Sequence, residues 1–174
     1  MQNERDYNHE LVSKYGEFLA VDDLSLTIKQ GELFSLLGVN GAGKTTTIKM
    51  LSCLIKPTGG DTVLLGNSIK AQPQAVKEII NISPQETAVA ANLSVIENLE
   101  LTARLYGQNK KSARQRAEEV ITQLGLEDVQ KKKATHLSSG MQRRLSVAMA
   151  LITDPQILFL DEPTLGLDVL ARRE

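Results

Sequence analysis

Apolar positions change their period twice along the chain. Before Gly31 they come in short runs broken by polar residues: Leu11-Val12, Phe18-Leu19-Ala20-Val21 and Leu24-Ser25-Leu26-Thr27-Ile28. That pattern predicts short strands of an antiparallel piece. Gly31-Glu32 then turns the chain into Leu33-Phe34-Ser35-Leu36-Leu37, apolar enough for a buried strand. Ile48, Leu51, Leu54 and Ile55 recur at helical spacing and predict a helix from Thr45 to Leu54. Pro57-Thr58-Gly59-Gly60-Asp61 reads as the turn that ends it. Thr62 to Leu65 and Ile79 to Ile82 are the next strand candidates, joined by a short helical link around Val76 and Lys77.

From Leu93 to Leu126 the period becomes helical. Val95, Ile96, Leu99 and Ala103 share one face, with Asn92 or Ser94 available as N-cap. Ala113, Ala117, Val120, Ile121 and Leu124 define a second face, and Gly125 stands where a C-terminal cap belongs. Another helix opens at Leu137-Ser138-Ser139-Gly140-Met141-Gln142 and runs to Ile152, with Leu145, Ala148, Met149 and Ile152 facing inward. Thr153-Asp154-Pro155 closes it, and Ile157-Leu158-Phe159-Leu160 reads as a buried strand. The whole is an α/β chain with an antiparallel N-terminal piece and a helical insertion.

Chemistry concentrates at three places. Gly38-Val39-Asn40-Gly41-Ala42-Gly43-Lys44-Thr45 fits G-x-x-x-x-G-K-[ST] between an expected strand and an expected helix. Glycines there let successive backbone N–H groups turn toward one anion, and the helix N-terminus adds partial positive charge. Lys44 can reach β- and γ-phosphates, and the Thr45 hydroxyl can ligate Mg²⁺. Asp161 and Glu162 emerge together at the end of the last strand, where a phosphate-loop protein places a metal-associated aspartate and a base for water. Ser138, Ser139 and Gly140 offer hydroxyls and backbone donors at a helix start, which capping alone also explains. Locally, Tyr15 reads as a half-buried strand aromatic, Gln85 as a loop glutamine, and Lys131-Lys132-Lys133 as a solvated run.

Composition narrows the setting. The 174 residues are 41% hydrophobic and 24% charged with net charge −1, an ordinary globular balance without the basic excess of a nucleic-acid binder. Cys53 is the single cysteine, so no intrachain disulfide forms and packing is its simplest use. No apolar run approaches the roughly 18 residues a membrane span needs, and Met1 to Glu10 lacks a signal-peptide core. Work at a membrane would go through a partner.

In this order, the pieces resemble the nucleotide-binding subunit of ABC transporters, from Tyr15 to Glu174. Gly38 to Thr45 match the Walker A loop, Ile157 to Glu162 Walker B, and Gln85 the Q-loop glutamine. Leu137 to Met141 match the signature LSGGQ, Leu165 to Asp168 the D-loop, and Tyr15 the adenine-stacking aromatic. The resemblance implies a P-loop NTPase core of ABC type, organised as residues 1–86 (β piece and core), 87–152 (helical subdomain) and 153–174 (Walker B strand and D-loop). It implies ATP and Mg²⁺ as ligands. Gly38, Val39, Asn40, Gly41, Ala42, Gly43, Lys44, Thr45 and Thr46 would hold phosphates; Thr45, Gln85 and Asp161 would serve the metal. Glu162 would be the general base, with Lys44 and Gln85 completing the catalytic set. Ser138 and Gly140 would reach the γ-phosphate across a head-to-tail dimer, moving them from cap to ligand, as Tyr15 moves from filler to adenine platform. The implied partners are a second ATP-binding subunit and a separate membrane-spanning permease, with the chain cytoplasmic and peripheral at the membrane.

Two departures stand out. Ser139 replaces a signature glycine and would be strained where φ must be positive, and Met141 replaces the glutamine. Met141 followed by Gln142-Arg143-Arg144-Leu145 looks like the ABC-2 branch, mostly exporters. Domains of the family continue past Glu174 into a further strand and a switch histidine. His9 and His136 both precede Walker B and cannot be that histidine, so the chain as read is C-terminally incomplete, with low stability and little ATPase activity expected. Two alternatives accompany the exporter subunit: a soluble ABC ATPase of DNA repair or translation, and a non-catalytic remnant.

Overall fold

The computed structural model describes residues 9–84 and 88–161. The chain divides into two compact units, Met1–Ile79 and Ile80–Glu174.

In the first unit, β1 (His9–Tyr15) pairs antiparallel with β2 (Phe18–Leu24) and, on its other edge, with β3 (Gly59–Asp61). Gly16, at φ 59°, supplies the positive φ in the two-residue link between Tyr15 and Phe18. β3 falls inside the stretch expected to be only a turn. Its backbone finds a partner in β1, and Thr58 fastens that edge by accepting from Lys14 N at 3.1 Å and donating to Val12 O at 3.1 Å. β4 (Val63–Leu64) and β5 (Asn67–Ser68) form a hairpin whose two turn residues, Leu65 (φ 47°) and Gly66 (φ 86°), are both left-handed. α1 spans Lys44–Leu51 and α2 spans Pro73–Ile79. Leu11, Val21, Met50, Ile69 and Val76 are the buried apolar residues at the heart of this unit.

Two expected strands are absent from it. β2 ends at Leu24, so Leu24 to Ile28 makes no strand of its own, and Leu33 to Leu37 joins no ladder. Leu33 and Leu37 are 79% and 88% exposed. An apolar run becomes a strand only where a neighbour supplies hydrogen bonds for its N–H and C=O groups. Among the described residues of this unit, no strand takes that place.

α1 is shorter than its apolar spacing suggested. It ends in a hydrogen-bonded cap, Leu54 N to Lys49 O at 2.9 Å and Cys53 N to Met50 O at 3.0 Å, with Cys53 left-handed at φ 55°. Cys53 therefore sits just past the helix; burial pushes its thiol up, and Sγ lies 3.7 Å from Ile69 O.

The second unit follows the sequence pattern closely. β6 (Ile80–Ser83) and β7 (Ile157–Leu160) pair in parallel, Ile80 against Ile157 through Ser83 against Leu160. α3 (Val95–Leu105), α4 (Lys110–Gln123) and α5 (Ser139–Leu151) bury the predicted faces in one cluster with Leu126, Val129 and Leu137. Met149 is only partly buried, packed against the edge of that cluster. Ser94, rather than Asn92, caps α3 in a full capping box with Glu97, and Asn109 caps α4. Gly125, at φ 61°, closes α4: Leu126 N reaches Ile121 O at 3.0 Å and Gly125 N reaches Thr122 O at 3.4 Å. Lys131, Lys132 and Lys133 are exposed.

Candidate functional site

The glycine loop belongs wholly to the first unit. Ala42 N donates to Val39 O at 3.1 Å, folding Val39 to Ala42 into a turn, and Gly41 continues it at φ 86°. Gly43 is the N-cap of α1, at φ 83° and without a capping side chain. A methyl group there would lie 2.3 Å from Ala20 O and 3.1 Å from Val21 Cγ2, so β2 requires a bare Cα at this point. Thr47 N to Gly43 O, at 2.8 Å, starts the helical ladder. Lys44, Thr45 and Thr46 form the first turn of α1, at the positive end of the helix dipole and directly after the loop. Lys44 Nζ donates to Gly38 O at 2.7 Å and Val39 O at 3.0 Å, holding its charge over the same hollow. Gly38, Val39, Asn40, Gly41 and Ala42 are exposed; Gly43 to Thr46 are half-buried. The glycine loop, a helix N-terminus and one ammonium thus stand together, a combination of groups that suits an anion.

Tyr15 closes the β1–β2 hairpin opposite Phe18. It is 54% exposed, where local pattern called for half-burial. A tyrosine at a strand end with little packed over it keeps a ring face available for stacking. Its hairpin is the one that carries Ala20, so the aromatic and the glycine loop share a support.

In the second unit, Ser138 is the N-cap of α5 and accepts from Met141 N at 3.3 Å. The local reading of this serine as a cap is therefore borne out. Ser139 is the first residue of α5 and has no positive φ, so the strain expected of a serine in place of glycine does not arise. Gly140 faces open space: nothing lies within 4 Å of where a Cβ would stand. Gln142 Nε2 donates to Ala134 O at 3.0 Å and Leu137 O at 3.4 Å, fixing the entry to the helix.

Asp161 follows β7 directly and is buried, its N–H donating to Ser83 O at 3.0 Å. One residue of this region escaped the sequence reading. Arg143, 6% exposed, donates from Nη1 to Pro84 O and from Nη2 to Asp161 O. The only local signal was a cation among small and apolar positions of a buried helix face. Gln85, Glu162 and Leu165 to Asp168 lie outside the described residues.

Comparison with known proteins identifies the family. The ABC transporter family pattern matches residues 21–165. The chain is 41% identical over 158 residues to the doxorubicin resistance ATP-binding protein DrrA of Mycobacterium tuberculosis, covering 91% of this chain and 48% of that protein. It is 40% identical over 158 residues to the Nod factor export ATP-binding protein I of Cupriavidus metallidurans, covering 91% and 52%. The probable multidrug ABC transporter ATP-binding protein YbhF of Escherichia coli is 37% identical over 165 residues, covering 95% and 28%. The chain thus spans about half or less of the length of these relatives. Among solved structures, the cbiO1 protein of Clostridium perfringens superposes with a TM-score of 0.81 at 27% identity, covering 95% of this chain and 70% of that one. The ATP-binding cassette MJ0796, in a dimeric post-hydrolysis state bound to ADP and Pi, superposes at 0.76 with 29% identity, covering 91% and 73%. With a family match over most of its length and the matching α/β fold, this chain belongs to the ABC transporter family, as one of its ATP-binding domains.

Proposed function

We propose that the chain is the ATP-binding and ATP-hydrolysing domain of an ABC-type exporter and powers a separate permease through a head-to-tail dimer closed by ATP. The observation that carries this reading is the glycine loop, an α1 N-terminus capped by side-chain-free Gly43 with Lys44 Nζ held by the Gly38 and Val39 carbonyls. When nucleotide enters, Lys44 exchanges those carbonyls for β- and γ-phosphate oxygens, and the loop N–H groups of Asn40 to Thr46 surround the chain of phosphates. Tyr15 stacks on the adenine. The export reading is supported by relatives whose names refer to drug resistance and Nod factor export.

Of the residues assigned to Mg²⁺, Thr45 would offer a hydroxyl, Asp161 a carboxylate and Gln85 an amide oxygen, each a hard ligand by type. That ion would neutralise developing charge on the transferred phosphoryl group. Glu162 polarises the attacking water, while Ser138 and Gly140 of a second subunit complete the γ-phosphate site. The domain would sit at the cytoplasmic face of the membrane, against its permease; no described helix is long and apolar enough to cross a membrane.

The test is a pair of variants in the full-length protein. Lys44→Ala should lose nucleotide binding, whereas Glu162→Gln should bind ATP and fail to turn it over. ATP hydrolysis at the wild-type rate by Glu162→Gln would remove the general-base assignment.

A further inference from the structure

Arg143 does something that an ordinary helix-face residue does not. It lies on α5 one turn after the Ser138 cap, and its guanidinium reaches the ends of two parallel strands at once. Nη1 takes the carbonyl of Pro84, the residue after β6, and Nη2 takes the carbonyl of Asp161, the residue after β7. Three residues further along the same face, Ser146 Oγ lies 3.1 Å from Ser83 Oγ, and both serines are buried. The sheet-facing side of α5 therefore carries a cation used at the C-terminal ends of β6 and β7 and a hydroxyl used at the end of β6. Burying a guanidinium is costly unless it is hydrogen-bonded, and an apolar side chain would fill this space without that cost. What the arginine adds is a rigid fork that spans two carbonyls, which no shorter or single-headed cation can do.

We infer that Arg143 is a positioning residue for ATP hydrolysis: it locks the signature helix to the peptide planes through which the chain leaves Pro84 and Asp161. A peptide unit is planar, so holding a carbonyl oxygen fixes the orientation of the bond leading to the next residue. The next residues in sequence are Gln85 and Glu162, the two assigned to the metal and the attacking water. One side chain on α5 thereby joins the element bearing Ser138 and Gly140 to the residue that precedes each of them. A shift of that helix on meeting a second subunit's nucleotide is passed to the hydrolytic groups through a single guanidinium rather than through loose packing. Arg143 touches no reactant; it acts on turnover and not on nucleotide capture. This inference rests on the function proposed above.

The test uses Arg143→Lys and Arg143→Met in the full-length protein. Binding of a fluorescent ATP analogue should stay within about twofold of wild type, with the ATP KM also unchanged, while kcat falls about 10- to 100-fold in both variants. Lysine should not rescue, because it keeps the charge and loses the fork. Hydrogen exchange separates this inference from the functional reading beneath it. In Arg143→Lys the amides around residues 83–86 and 160–163 should exchange faster while those of α4 do not. That readout decides the clamp even if the wild-type protein proves not to hydrolyse ATP, a result that would sink the functional reading alone. Wild-type kcat in Arg143→Lys, or unchanged exchange at both strand ends, would overturn the assignment.

Discussion

The Cα of Gly43 faces the carbonyl oxygen of Ala20 so closely that a methyl group would stand 2.3 Å from it. This contact ties the start of α1 to strand β2, and with it the phosphate loop to the hairpin that presents Tyr15. Gly41 offers the comparison: its φ of 86° matches the 83° of Gly43, but nothing lies within 4 Å of its would-be Cβ. Backbone strain alone, about 1–2 kcal/mol, is the expected cost of Gly41→Ala. Gly43→Ala adds a clash with main chain that cannot swing aside, so a loss above about 3 kcal/mol is expected together with loss of nucleotide binding. Thermal or denaturant unfolding of the two variants, read beside titration with a fluorescent nucleotide, checks the order. Equal destabilisation by both would mean that the Ala20 contact carries no weight.

Ser94 and Glu97 start α3 with reciprocal bonds: Ser94 N and Oγ both donate to Glu97 Oε2 at 2.7 Å, and Glu97 N donates back to Ser94 Oγ at 3.4 Å. The bonds from Ser94 hold the Glu97 carboxyl below the ordinary carboxylate range, with a smaller push the same way from Lys133. A carboxyl depressed in the folded state stabilises the fold above its unfolded pKa and loses that contribution as pH falls through the folded value. Ser94→Ala should therefore cost about 1 kcal/mol near neutrality. The gap between variant and wild type should narrow as the pH drops below the usual carboxylate range. Urea unfolding of both proteins across that interval is the measurement, and a gap independent of pH would exclude the capping-box contribution.

Leu65 occupies the first of two left-handed positions in the β4–β5 turn and is exposed, a poor choice for φ 47°. Asn-Gly is the favoured pair for such a turn because asparagine tolerates the left-handed region. Leu65→Asn should stabilise the protein by about 0.5–1 kcal/mol at little loss of burial. A lower denaturation midpoint for the variant would show that the leucine side chain contributes packing that outweighs its backbone strain.

The helical half of the molecule was legible in the sequence because its information is local. Val95, Ile96, Leu99 and Ala103 sit on one face whatever surrounds them, and Ser94 and Gly125 cap their helices through bonds a few residues long. Leu33 to Leu37 shows the opposite case: its apolarity reads as burial, but strand pairing depends on a neighbour the local pattern does not name. The same division holds in the site. Glycine spacing announced the loop from Gly38 to Lys44, since each glycine answers a nearby backbone demand. The reason Gly43 tolerates nothing larger lies in β2, and the role of Arg143 lies in a parallel pairing of β6 with β7 that brings distant Pro84 and Asp161 under one guanidinium. Contacts of that kind become visible only once the strands are placed.

Arg116, on α4, reaches the far end of α5. Its Nη2 donates to Leu151 O at 3.2 Å and to Asp154 Oδ1 at 3.0 Å, while Nε donates to Ile152 O at 3.4 Å and Nη1 meets Glu119 at 3.2 Å. The carbonyls of Leu151 and Ile152 belong to the last turn and C-cap of α5, where Leu151 O also accepts from Asp154 N at 3.0 Å and where a cation complements the helix dipole. Asp154 is different. Its side chain is 90% exposed against 21% for Arg116, so the ion pair stands in water and is worth little. Two substitutions separate the contributions. Arg116→Met keeps the aliphatic stem and removes every donor, taking the Nε bond from Ile152 O and leaving Leu151 O with the Asp154 N–H at 3.0 Å, and should cost about 1–3 kcal/mol. Asp154→Asn should change stability by less than about 0.5 kcal/mol. Raising the salt concentration should leave the Arg116→Met deficit nearly intact, because bonds to main-chain carbonyls in a part-buried setting are screened far less than an exposed pair. A deficit that vanishes in high salt, or an Asp154→Asn loss as large as that of Arg116→Met, would assign the stabilisation to the ion pair instead of to the end of the signature helix.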